Sequence, residues 1–169
     1  MSLEEARVIV VVYTAVLLPL IIYFFNKSKI PSWVPSFYII AVIVCALGWE
    51  IWFTFGWLDG DPVDIRRSAA LNTWLPKNIN WLMNSMGDAG AVLLGGFWLM
   101  WLTHNKDNSV FLEWKWSAFI VLLAWCIGQN ILVEMFLYHD QLAEGKPLSW
   151  APLSPLGPYF NPILFEFNN

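Results

Sequence analysis

Three carboxylates stand inside long apolar runs: Glu50 in GWEIWFTFG, Asp88 in NSMGDAGAVLLGG and Glu134 in GQNILVEMFLYHD. A carboxylate at the centre of a membrane helix costs roughly 2.5–3.5 kcal/mol, so three left charged and unpaired could cost about 7–10 kcal/mol. Such groups are offset by protonation, hydrogen bonding, pairing or water, and they normally face the interior of a bundle. Their neighbours fit that expectation. Asn80 and Asn84 precede Asp88 at four-residue steps, and Asn130, Glu134 and Tyr138 repeat the pattern, with Cys126 one turn earlier and Gln129 beside them. Thr54 follows Glu50 by one turn. At helical spacing each set occupies one face. The plainer role for buried polar groups is to bond helices together, at about 0.6–2 kcal/mol per contact. Three carboxylates on three helices point further, to acid–base chemistry, proton movement or ligand binding.

The chemistry available to such a cluster is specific. One carboxylic acid can donate a proton to a double bond while a neighbouring carboxylate removes a proton elsewhere. Trp49 or Trp52 can stabilise the carbocation between the two steps. The candidate catalytic residues are therefore Glu50, Asp88 and Glu134. The candidate ligand-binding residues are Trp49, Trp52, Asn84, Gln129, Asn130 and Tyr138. No metal and no cofactor is expected. The only histidines, His104 and His139, fall at predicted helix ends. The chain has no Glu-x-x-His pair of the di-iron type, no Cys/His cluster of zinc spacing, no phosphate-binding glycine loop and no nucleophile elbow.

The elements that must carry these residues are apolar helices. Of the 169 residues 58% are hydrophobic and only 13% charged, about half the charge usual in a soluble domain. Four segments are long enough to span a bilayer, at about 8–25, 36–58, 79–102 and 116–138. The first is read as a retained helix, bent near Pro19, because it lacks the basic start and small-residue cleavage site of a signal peptide. The expected fold is all-α: a multi-pass membrane bundle of four transmembrane helices, forming one domain over residues 1–169, with a Pro-rich C-terminal tail. Gly87, Ala91 and Gly95 place a small-residue stripe for close helix contact beside Asp88. Seven of the tryptophans fall near segment ends, where aromatic belts form.

Lysines in the two short loops favour an N-terminus outside. Asp59, Asp61, Asp64, Arg66 and Arg67 read as a solvated loop with local ion pairs. The net charge of −4 argues against nucleic acid. Both cysteines, Cys45 and Cys126, lie in apolar runs and read as small core residues.

In this order the features resemble the EXPERA superfamily, the emopamil-binding sterol isomerases and the sigma-2 receptor. GWEIWFTFG resembles the segment around that family's first acidic residue, which would be Glu50. DAGAVLLGGFWLMW resembles the following glutamate-led helix, with Asp88 at the glutamate position. GQNILVEMFLYHD resembles the next helix, with its Gly-Gln pair. The likeness runs over roughly residues 48 to 161. It implies a small helical membrane protein with acidic residues in a lipid-accessible cavity, binding a sterol or isoprenoid, and a cofactor-independent lipid double-bond isomerase if it is an enzyme. The departures are Ala46 in place of a histidine, Asp88 for glutamate, Glu134 displaced by one position, and a last helix missing or cut short after Phe160. A broader lipid-binding or isomerase role fits these departures better than sterol isomerisation. The alternatives are a non-catalytic subunit of a larger membrane complex, with membrane protein partners or a homo-oligomer, and a proton or ion pathway.

Overall fold

The structure, a computed structural model, describes residues 1–56, 61–133, 137, 142–143, 147–150 and 165–168. It is built on four long helical passes. The first is α1, Leu3–Asn26, opened by a capping box in which Ser2 and Glu5 each accept the other's backbone N–H. The second is a bent pair, α2 (Val34–Leu47) and α3 (Trp49–Phe55). Short helices α4 (Val63–Arg66) and α5 (Ala69–Trp74) follow. The third pass is α6 (Lys77–Gly87), a π-helical segment (Asp88–Leu94) and α7 (Gly95–Thr103). A 3₁₀ turn, Asn108–Phe111, leads to α8, Trp116–Val133. Three helices are long and apolar enough to cross a membrane, or four if the bent pair is one span.

The third pass is the spine. α6 and the π segment pack on α1, α2 and, for α6, α3, while α7 packs on α8. Successive passes run in opposite directions. At one end Val8 of α1 forms a buried cluster with Leu71 and Leu75, and Ser68 donates to Glu5. Ala143 returns to this end, its N–H donating to the Arg66 carbonyl at 2.8 Å. At the other end Trp33, Phe37, Phe97 and Phe111 meet edge to face or stacked.

Three features differ from the sequence expectation. The second segment is not one helix over 36–58: it turns by 47° at Gly48. A Cβ there would sit 2.7 Å from the Val44 carbonyl oxygen, so the turn requires glycine. The third pass is not α-helical throughout, and its π segment rotates the residues beyond Asp88 out of phase. The stripe Gly87–Ala91–Gly95 is therefore split. Gly87 and Gly90 face α1, whereas Gly95 faces Trp125 of α8. The chain is helical as expected, but within the tail Pro147–Trp150 (β1) pairs antiparallel with Phe165–Asn168 (β2).

Pro19 does not interrupt α1. It lacks an N–H for the Ala15 carbonyl, and Gly90 lies against that point. A Cβ on Gly90 would stand 3.0 Å from the Pro19 ring and 3.3 Å from Ala15 O. Trp125 closes the opposite side of the π segment by donating to the Ala91 and Val92 carbonyls at 3.2 and 3.0 Å.

Candidate functional site

The two departures from regular helix lie against each other and hold the acidic residues. The turn at Gly48 places Trp49 and Glu50 in the first turn of α3, and Asp88 opens the π segment. The Trp49 indole Nε1 donates to Asp88 Oδ2 at 2.8 Å, tying the second pass to the third. Trp81 Nε1 donates to the Ala46 carbonyl at 2.8 Å, just before the turn. Tyr38 donates to the Met86 carbonyl at 3.3 Å.

Glu50 is 1% exposed. Its Oε2 accepts a long 3.5 Å bond from Thr54 Oγ1, and the Asn84 amide lies within hydrogen-bonding reach. The charges acting on Glu50 are those of Asp88 and Arg66. Cys45, buried on α2, lies in the field of both carboxyls. Asp88 is half-buried, and Trp49 is 37% exposed. The pair thus has an inner member, sealed in protein, and an outer member whose indole partner is open to the surroundings. The two carboxyls are near enough for the charge of Asp88 to act on Glu50.

Of the residues expected in one shared site, Glu50, Asp88, Asn84 and Trp49 come together. Trp52 is buried against the Phe53 ring at 4.6 Å. On α8, Gln129 donates to its own helix at the Cys126 carbonyl, 3.3 Å away, and Asn130 is exposed. The contacts of α8 run chiefly to α7 and the π segment. Glu134 and Tyr138 lie outside the described residues, as do Asp59, His139 and Asp140. His104 joins α7 to α8, with Nδ1 2.8 Å from the Met100 carbonyl and Nε2 2.8 Å from Ser117 Oγ. Among the described residues no three His, Cys, Asp or Glu side chains converge as a metal site.

Arg66 and Arg67 overturn the expectation of a solvated loop. They are 5% and 4% exposed. Arg66 donates to the Phe53 carbonyl at the end of α3 and, through Nε, to the Asp61 carbonyl at 2.7 Å. Arg67 donates to Asn80 Oδ1 at 3.1 Å and to the Leu75 carbonyl at 2.6 Å, while its Nε has no partner among the described residues. Burial, and then the charge of Arg66, push Arg67 down to about 10, against the opposing pull of Asp64. It therefore remains a buried cation at neutral pH. Among the described residues Asp64 pairs with Lys77 at 3.0 Å. The one prior signal for Arg67 was Asn80, an amide on the buried face of the third pass that needed a donor.

Compared with protein-family models, with curated proteins and with solved structures, the chain finds no match.

Proposed function

We propose that this is a four-span integral membrane protein that binds a flat apolar lipid, of the sterol or isoprenoid class, beside the Glu50–Asp88 pair. The observation that carries the reading is the pair itself: a sealed carboxyl next to a half-open one, with an exposed indole bonded to the outer member. An apolar ligand lying along Trp49 would meet Asp88 first. Such a site is equipped for double-bond isomerisation. A carboxyl proton adds to one alkene carbon, the indole face stabilises the cation left on the other, and the partner carboxylate removes a proton from the next carbon beyond the cation, so the double bond moves by one position. One proton is gained and one lost, so the reaction needs no cofactor. Glu134, Gln129, Asn130 and Tyr138 belong to this proposal only if the end of α8 closes over the site. The test is incubation of purified protein with candidate sterols and isoprenoids in deuterated water. Deuterium incorporation that disappears in Glu50→Gln and Asp88→Asn supports an isomerase. Absence of label in every lipid, with binding intact, leaves a binding protein.

A second reading, a non-catalytic subunit, is favoured by α8. Its Asn130 amide is exposed on a helix apolar enough to span, and an amide facing lipid gains from a partner helix. Purification in mild detergent separates the readings: a stable monomer counts against the subunit.

A further inference from the structure

One polar strip leads away from the acid pair towards the end of the bundle where α1 starts. On α6, Asn80 and Asn84 share one face that leads to Asp88 at the start of the π segment, each step about 6 Å along the axis. On α3, Glu50 and Thr54 face the same seam, since α3 packs on α6. Arg67, bonded to Asn80, and Arg66, bonded to the end of α3, sit at the head of the strip. There the chain between α3 and α6 meets the start of α1 through Ser68–Glu5 and Tyr13, whose hydroxyl donates to the Trp74 carbonyl at 3.1 Å. The exposed Asp64 places this end at an aqueous face.

The residues of the strip are buried, yet they do more than fasten helices. Asn80 is 2% exposed and Thr54 fully buried. Arg67 brings a full charge into the strip with one N–H still unpartnered among the described residues. A seam built only for packing would be filled at lower cost by apolar side chains. Polar and ionisable residues in chains of this kind mark proton relays in membrane bundles. Every group facing Glu50 fits such a role: Thr54 from its own helix, Asn84 from α6, Asp88 from the π segment, Arg66 from α4 and Cys45 from α2.

We propose that the Arg67–Asn80–Asn84–Glu50 strip is a proton-access route linking the buried carboxyl to the aqueous face on the side of the N-terminus. The inference rests on the reading of the bundle as membrane-spanning and of Glu50–Asp88 as its acid site. It adds that Glu50 exchanges its proton with one named side, through protein, while Asp88 and Trp49 face the ligand.

The experiment follows Glu50 itself, in protein reconstituted in nanodiscs with no sterol or isoprenoid added. Infrared spectra are recorded after a switch from light to heavy water, with the Glu50 band assigned by its loss in Glu50→Gln. Wild-type Glu50 is expected to exchange readily. Asn84→Met and Asn80→Leu should slow it by roughly tenfold or more, while Thr103→Val at the far end of α7, whose hydroxyl bonds its own helix, leaves it unchanged. Should Asn80→Leu fail to fold because it strips Arg67 of an acceptor, Asn84→Met, which keeps the Arg67–Asn80 bond, carries the test. Wild-type exchange rates in the α6 variants would overturn the route, as would slowing in Trp49→Phe alone. Slowed exchange without lipid labelling removes the isomerase and leaves the route standing. Lipid labelling with exchange indifferent to Asn80 and Asn84 does the reverse.

Discussion

Trp49 and Asp88 are hydrogen-bonded across two breaks in helical regularity, the turn at Gly48 and the start of the π segment, at 2.8 Å. Each break frees backbone from its regular ladder, and aromatic N–H groups take up carbonyls beside both: Trp81 at Ala46, Trp125 at Ala91 and Val92. Trp49→Phe keeps most of the ring and removes only the donor. The variant should lose about 1–3 kcal/mol, the cost of leaving a buried polar group without its partner. Unfolding in a graded denaturing-detergent series measures this, and an unchanged midpoint would show that the bond does not hold the passes together.

The turn at Gly48 should tolerate no side chain. Gly48→Ala places a methyl 2.7 Å from a backbone oxygen that cannot step aside, an overpacking expected to cost about 1–3 kcal/mol. Gly96→Ala meets Leu122 Cδ1 at 2.5 Å, but that is the end of a flexible side chain and should yield at lower cost. Thermal melting of the two variants side by side gives the comparison.

Arg67 holds Asn80 and the Leu75 carbonyl with two arms of one planar group. A lysine ammonium cannot reproduce that fork. Arg67→Lys should therefore lower stability by roughly 1–3 kcal/mol, with the loss read as faster amide exchange over α5 and the start of α6. Equal protection in both proteins would contradict the role assigned to the guanidinium.

Between α7 and α8 the Asp107 carboxylate accepts the Ser109 N–H at 2.9 Å, the Ser109 hydroxyl and Lys115 Nζ at 3.3 Å. The Ser109 side chain first, then its backbone N–H, hold Asp107 down at about 2. A carboxylate lowered by folding stabilises fully above its ordinary range of about 4. Its contribution is then lost as pH falls towards the folded value. Ordering of this turn should accordingly persist down to about pH 4 and fade on approach to about 2. Exchange of the Ser109 amide against pH checks it, and Asp107→Asn should flatten the profile.

Much of the fold was legible in the chain. Apolar length marked three helices long enough to cross a membrane and the bent pair that would make a fourth, and the four-residue spacing of Asn80, Asn84 and Asp88 marked one face of the third pass. That Asp88 acts on Glu50 accords with the expectation that carboxylates in apolar helices find one another or water, whereas Glu134, expected with them, lies outside the described residues. What could not be read depends on tertiary contact. A single glycine in an apolar run, as at Gly48, is tolerated in straight helices and does not announce a turn. The π segment leaves no compositional mark, although it sends Gly87 and Gly95 to different neighbours. Arg66 and Arg67 look solvated beside Asp64 and Ser68, and among the described residues it is the carbonyls of Phe53, Asp61 and Leu75 and the Asn80 amide that receive them in the interior.

Lipid is proposed to lie against Trp49 and Asp88. Photoreactive sterol and isoprenoid probes, incorporated in bilayers with the purified protein and mapped by peptide mass spectrometry, test it directly. The expected result is crosslinking concentrated on residues 46–55 and 84–92, displaced by unlabelled ligand and reduced in Trp49→Leu and Asp88→Asn. Crosslinks spread evenly over the outer faces of α1 and α8, indifferent to both substitutions, would contradict it.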